Sequence, residues 1–245
     1  MNQQEINEVV EKCVQYLALD MVTLSDGFYY QSLPLCVIDA VFSPGAKYES
    51  VKKVIKTYCE RFNLQTYRNT KPGPPAAKET QQSLKQFLDI MCRFDEEELA
   101  NTIFDNRRPA VARGISSSVL RVAVVVSFAE LLYKHDINYL QDVQAHRDDD
   151  DLIEELENLP GLTRNVAIAY FFMLAGEEDF IKADRRVRNF LRHCISRECT
   201  PEEAQNGLTD VVAVLRLAYP KLNCRLLDHT IWKYDRERAH APQYW

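Results

Sequence analysis

The sequence predicts an all-α protein, and three observations carry that expectation. Only seven of the 245 residues are glycine. Apolar residues recur at three- and four-residue steps rather than in short alternating runs, which is the spacing of one helix face. Turn signals, among them Ser25-Asp26-Gly27, Ser43-Pro44-Gly45 and Leu159-Pro160-Gly161, punctuate those runs at helix-sized intervals. The length allows one large domain or two small ones, with enough chain to bury a core.

Taken in order, the first helix is expected from Gln4 to Leu19, with Ile6, Val9, Val10, Cys13 and Leu17 on one side. Leu33 to Phe42 is apolar except for Asp39, so it reads as a buried helix. A carboxylate inside it is either tied to a neighbouring helix end or functional. After Ser43-Pro44-Gly45 an amphipathic helix runs from Tyr48 to Phe62, and three prolines make Gln65 to Lys78 a surface loop. Helices follow over Glu79–Cys92 and Glu96–Phe104. The loop Asn106-Arg107-Arg108-Pro109, with Arg113, is basic and could meet a phosphate or simply be solvated. Ser116-Ser117-Ser118 caps an apolar helix reaching Tyr133, a short helix spans Asp136–Val143, and the acids at 148–151 suit the start of the next helix. Thr200-Pro201-Glu202-Glu203 opens a further helix, and Leu226–Tyr234 makes the last.

The most informative stretch is Leu159 to Arg186. Pro160 disfavours helical dihedrals at Leu159 and Gly161 permits positive φ, so a tight turn joins two helices. The second begins near Thr163 with its amides facing out of the turn, a setting suited to a phosphate. It stops at Gly176, and a third starts at Lys182-Ala183-Asp184. There local amides and the positive helix end favour an anion, amid Lys182, Arg185, Arg186 and Arg188. Asp184 is thus an ordinary helix cap or a functional carboxylate.

Leu159-Pro160-Gly161-Leu162 before a helix, then Lys182-x-Asp184-x-Arg186-Val187 after a glycine turn, resembles the helix-hairpin-helix DNA glycosylases of the endonuclease III and 3-methyladenine glycosylase superfamily. The resemblance implies a two-lobed helical fold with a helix-hairpin-helix motif and an interlobe cleft. The central lobe would be 33–178, and 1–32 with 179–245 would form the second. It implies catalysis by Asp184 and double-stranded DNA held by Gly161, Leu162, Thr163, Arg164, Asn165, Lys182 and Arg186. Asp39, Tyr48 and Tyr170 are candidates for the base pocket. Three departures stand out. Thr163 replaces the usual second hairpin glycine, and Asn165 replaces the lysine of bifunctional members. The C-terminal four-cysteine iron–sulfur loop is missing, since Cys194, Cys199 and Cys224 are too few and too widely spaced.

The resulting expectation is a monofunctional DNA N-glycosylase that excises a damaged or modified base and leaves an abasic site. Alternatives are a catalytically inactive helix-hairpin-helix DNA-binding protein and a helical interaction module. No cofactor and no metal site are expected, although the hairpin leaves room for a monovalent cation. Seven cysteines without a Cys-x-x-Cys, and no hydrophobic leader, point to a reducing, cytoplasmic compartment; no apolar run is long enough to span a bilayer, and a monomer is expected. A formal charge of −6 argues against a generic nucleic-acid binder, yet a local basic face can still dock DNA.

Overall fold

The structure is a computed structural model describing residues 1–24, 26–69, 73–112 and 115–240. Ser25 of the first turn, Thr70–Pro72 of the expected loop and Arg113 of the basic loop lie outside the described residues.

The chain is overwhelmingly helical. In order come α1 (Gln3–Tyr16), α2 (Leu33–Phe42), α3 (Tyr48–Phe62), α4 (Leu84–Met91) and the short α5 (Glu96–Glu98), which runs into a π-helical turn over Leu99–Ile103. Strands β1 (Pro109–Ala112) and β2 (Ile115–Leu120) precede α6 (Arg121–Lys134). After a 3-10 segment at Leu140–His146 come α7 (Asp150–Glu157), a π-helical turn at Arg164–Ile168 and α8 (Ala169–Ala175). The chain ends with α9 (Arg185–Ile195), α10 (Pro201–Leu215) and α11 (Cys224–His240).

One local expectation is corrected. Ser116-Ser117-Ser118 does not cap a helix; it lies in β2, antiparallel to β1, with Val111 opposite Ser116 and an irregular register toward Pro109. The helix starts at Arg121, with Leu120 as a cap residue that makes no side-chain cap bond. Three serines in a row are as compatible with a strand as with a cap, and pairing with β1 supplies backbone hydrogen bonds that a cap alone does not.

By its own packing the chain divides into two compact units, Met1–Leu24 with Glu177–Trp245, and Ser25–Gly176. In the larger unit every residue of α2 is buried, with α3, α4, α6 and α8 packed around it. In the smaller unit α1 packs on α9 and α10, and Val9, Cys13, Leu191, Leu208, Val211, Leu227 and Ile231 build the core. Local sequence chemistry sets the helix ends. Asn2 and Glu5 form a reciprocal capping box on α1, and Ser83 with Gln86 does the same on α4. Gly176 closes α8 at φ +124°, a conformation that L side chains rarely adopt. No helix among the described residues is long and apolar enough to cross a membrane.

Candidate functional site

The turn between α7 and the following helix is built as the sequence suggests. Gly161 takes φ +83°, and the Leu162 amide donates to the Leu159 carbonyl at 3.2 Å, closing the turn while the Leu162 side chain anchors it in the interior. Thr163 is extended and exposed and makes no side-chain cap. The Arg164 amide instead donates to Glu157 Oε1 at 2.9 Å, so a carboxylate already sits on a helix-start amide where a phosphate would be expected. The Arg164 guanidinium reaches Asp150 at 3.1 Å and lies 3.8 Å from Glu157. Gly161, Leu162, Thr163, Arg164 and the half-buried Asn165 therefore share one turn, whose local charges include two acids.

Arg121 braces this region, and the sequence reading overlooked it. Its guanidinium is buried and donates to the carbonyls of Val41 (3.1 Å), Phe42 (2.6 Å), Pro44 (2.6 Å) and Pro109 (3.2 Å). A cation over the C-terminal carbonyls of α2 is favoured by the helix dipole. Burial, with a smaller effect from Arg108, lowers its pKa to about 10, which still leaves it charged at neutral pH. Arg121 shares a small crevice with Pro44, Pro160, Gly161 and Leu162, so it fixes the Ser43–Gly45 turn beside the α7 turn. Arg107, in the basic loop open to a phosphate or to solvent, pairs with Glu97 and Asn101.

Two of the three base-pocket candidates, Asp39 and Tyr170, share one network. Asp39 is 2% exposed and accepts from Tyr30 Oη at 2.8 Å, Ser43 Oγ at 2.6 Å and Tyr170 Oη at 3.4 Å. Burial, then the neighbouring Asp39 charge, raises the Tyr30 phenol well above its ordinary value, so Tyr30 remains a donor. Asp39 and Tyr170 are thus joined in an enclosed network. Tyr48 opens α3, where Lys52 Nζ lies 5.2 Å from its ring centre.

Asp184 is the N-cap of α9. It receives the amides of Arg186 at 2.7 Å and Val187 at 3.2 Å, and it is half-buried. Its own amide donates to the Lys182 carbonyl at 2.6 Å, giving a tight Lys182–Asp184 turn. That turn is pinned from α11, where Asp228 Oδ1 accepts the Lys182 amide at 3.0 Å. Asp228 is 7% exposed, and its pKa is raised to about 8. Burial is the main cause and the Asp184 charge the next, partly offset by Lys182. A carboxyl that is mostly protonated at neutral pH therefore stands behind a half-exposed carboxylate. Arg186, expected on DNA, is held in an ion pair with Asp235 of α11. Asp228 and Asp235 were both missed. The available signal was an acid between Leu227 and Ile231 on a core-facing helix, the same signal that singled out Asp39.

All seven cysteines are free thiols, and burial pushes Cys194 up to about 12 and Cys224 up to about 11, away from the thiolate form that metals bind. Among the described residues no group of three or more His, Cys, Asp or Glu side chains is placed to hold a metal.

These features belong to a mostly helical chain with two buried acids and a glycine turn after α7. The chain belongs to a family described as a domain of unknown function, DUF8548, whose model matches residues 7–236. Neither a curated protein nor a solved structure matches it.

Proposed function

We propose that this protein is a monofunctional DNA N-glycosylase. The observation that carries the reading is the Lys182–Asp184 turn, which holds a half-exposed carboxylate on two helix amides with the mostly neutral Asp228 carboxyl behind it. The target nucleotide would be extruded from the duplex. The bond between C1′ of the sugar and the base nitrogen then breaks, its electron pair leaving with the base. Asp184 stabilises the positive sugar and orients a water. The water oxygen bonds to C1′ and one of its protons ends on the departing base, leaving an abasic site.

In the same proposal α7, the Gly161 turn and the following helix form a helix-hairpin-helix that grips double-stranded DNA within a two-lobed enzyme. Gly161, Leu162, Thr163 and Arg164 would carry that grip, with Glu157 yielding the Arg164 amide to a phosphate. Asn165 is an amide and cannot form a Schiff base, so strand cleavage is not part of the reaction. The second reading is a DNA-binding protein without catalysis, and it is favoured by the two amides that occupy Asp184 as a helix cap.

The test is release of free bases, identified by mass spectrometry, from duplexes carrying many lesions and modifications. Asp184→Asn preserves size and removes the charge, so base release should fall by roughly a thousandfold while DNA affinity stays within a few fold. An Asp184→Asn protein as active as the wild type would end the assignment. DNA binding without base release by the wild type would favour the second reading.

A further inference from the structure

The segment from Glu178 to Arg186, which carries Asp184, is held along its length by one helix. Arg225, at the start of α11, donates its amide to the Glu178 carbonyl at 3.1 Å. Asp228 Oδ1 accepts the Lys182 amide at 3.0 Å, and Asp235 pairs with the Arg186 guanidinium. Between these anchors Ile181 and Ala183 are fully buried while Lys182 and Asp184 are half-buried, so alternate residues of the segment are plugged into the core. Asp184 therefore has little freedom of its own. Two amides of α9 hold its carboxylate, and the backbone before it is fixed from α11.

Of the three anchors, Asp228 is the one whose charge can change. The Arg225 amide does not titrate, and Asp235 is matched by a guanidinium. Asp228 is buried beside the like charge of Asp184, and together these keep its proton on up to about 8, with Lys182 opposing them. The neighbouring groups on α11 titrate elsewhere. Cys224, one turn earlier and within reach of Asp179, Arg216 and Asp228 itself, is pushed up to about 11 by burial. His229 is held neutral by burial, then by Lys233 and Arg225. Repulsion between two carboxylates is mutual, so the Asp184 charge that keeps the proton on Asp228 is itself pushed when that proton leaves. Asp184 has solvent on one side and Asp228 has the core behind it, so Asp184 is the one that moves.

We propose that Asp228 is the positioning residue of Asp184: through the Lys182 amide it sets where that carboxylate stands, and by holding or releasing its proton it sets whether Asp184 stays there. The proton goes to solvent, and Asp228 touches neither the sugar nor the base. Where it concerns base release this rests on the glycosylase reading, whereas the hold of Asp228 on Asp184 does not.

The test follows the amide resonances of Lys182, Arg186 and Val187 in the isotope-labelled full chain as pH is raised. In the wild type all three should shift together with one inflection near pH 8. Asp228→Asn keeps an acceptor for the Lys182 amide and has no proton to lose, so its resonances should pass that pH without an inflection. No inflection in the wild type, or the same one in Asp228→Asn, would overturn the proposal. In base release, the wild-type kcat should fall about tenfold between about pH 7 and about pH 9, as one protonated form is lost, while duplex affinity stays within about twofold. The kcat of Asp228→Asn should stay level over that range. Asp228→Ala removes the acceptor and should release base about tenfold more slowly near pH 7, and asparagine at the same place should restore the rate. A wild-type kcat that stays level while the amides inflect would also overturn the proposal. Amides that inflect in a protein releasing no base at any pH would remove the glycosylase and leave the coupling of Asp228 to Asp184 standing.

Discussion

Two buried carboxylates, one in each unit, solve the same problem in opposite ways. Asp39 lies inside α2 and is surrounded by hydroxyl donors from Tyr30, Ser43 and Tyr170. Asp228 lies inside α11, receives the Lys182 backbone amide and faces the carboxylate of Asp184. The first is stabilised by hydrogen bonds from neutral groups. The second has a like charge as its neighbour, and desolvation then favours keeping a proton. Burial alone therefore does not make an acid functional. What separates the two is whether the surrounding groups complete it or oppose it, and Asp228 adjoins a half-exposed acid, Asp184.

The largest effect that would break this comparison is Asp39→Ala. It leaves the Tyr30 and Ser43 hydroxyls without their acceptor in the core, and urea unfolding should show a loss of about 3 kcal/mol. A loss under about 1 kcal/mol would mean that the hydroxyls repair themselves and that Asp39 is not the organiser of the network.

Asp228→Asn should act with the opposite sign. The folded pKa of Asp228 is raised from 3.8 to about 8, so between those values the folded state holds a proton that the unfolded chain has released. Its contribution is most favourable below the unfolded pKa and is lost as pH rises toward the folded pKa. Asparagine imitates the protonated acid without that dependence. The variant should match wild type near pH 4 and be more stable by about 2 kcal/mol near pH 8, a figure below the full shift because the surroundings relax. A stability difference that stays flat across this range would place the proton elsewhere.

The smallest effect concerns the third acid, Glu157, which is exposed and sits on the Arg164 amide. Glu157→Gln removes a negative charge from the place proposed for a phosphate, so duplex affinity should rise about threefold at fixed salt. Unchanged or weaker binding would detach the Gly161 turn from DNA.

Much of the helical layout was legible, because local chemistry fixes it. The helix at Tyr48–Phe62 falls on the residues its periodicity indicates, and Asp184, Gly176 and Thr200 sit at the helix ends that their side chains or lack of one dictate. The failures are tertiary. β2 depends on its pairing with β1, Arg121 on carbonyls some eighty positions earlier in the chain, and Asp228 on an amide contributed by Lys182. Of the candidate site, the Gly161 turn and the Asp184 cap could be read from adjacent residues. The partners that shape their charge could not, since Arg186 gives no sign in sequence that it is committed to Asp235.

The π-helical turn at Arg164–Ile168 changes how positions are compared along this chain. The Ile168 amide bonds to the Thr163 carbonyl, five residues back, so this turn takes in one more residue than an α-helical one. Matching Asn165 to the lysine of another protein by counting from Gly161 fixes its place in the alphabet of the chain, but not its angle around the helix axis. Residues after the wide turn are rotated relative to their counterparts on an uninterrupted helix by about a quarter of a revolution. Aligned letters and aligned directions part company here, and the direction decides which side chain a bound molecule would meet.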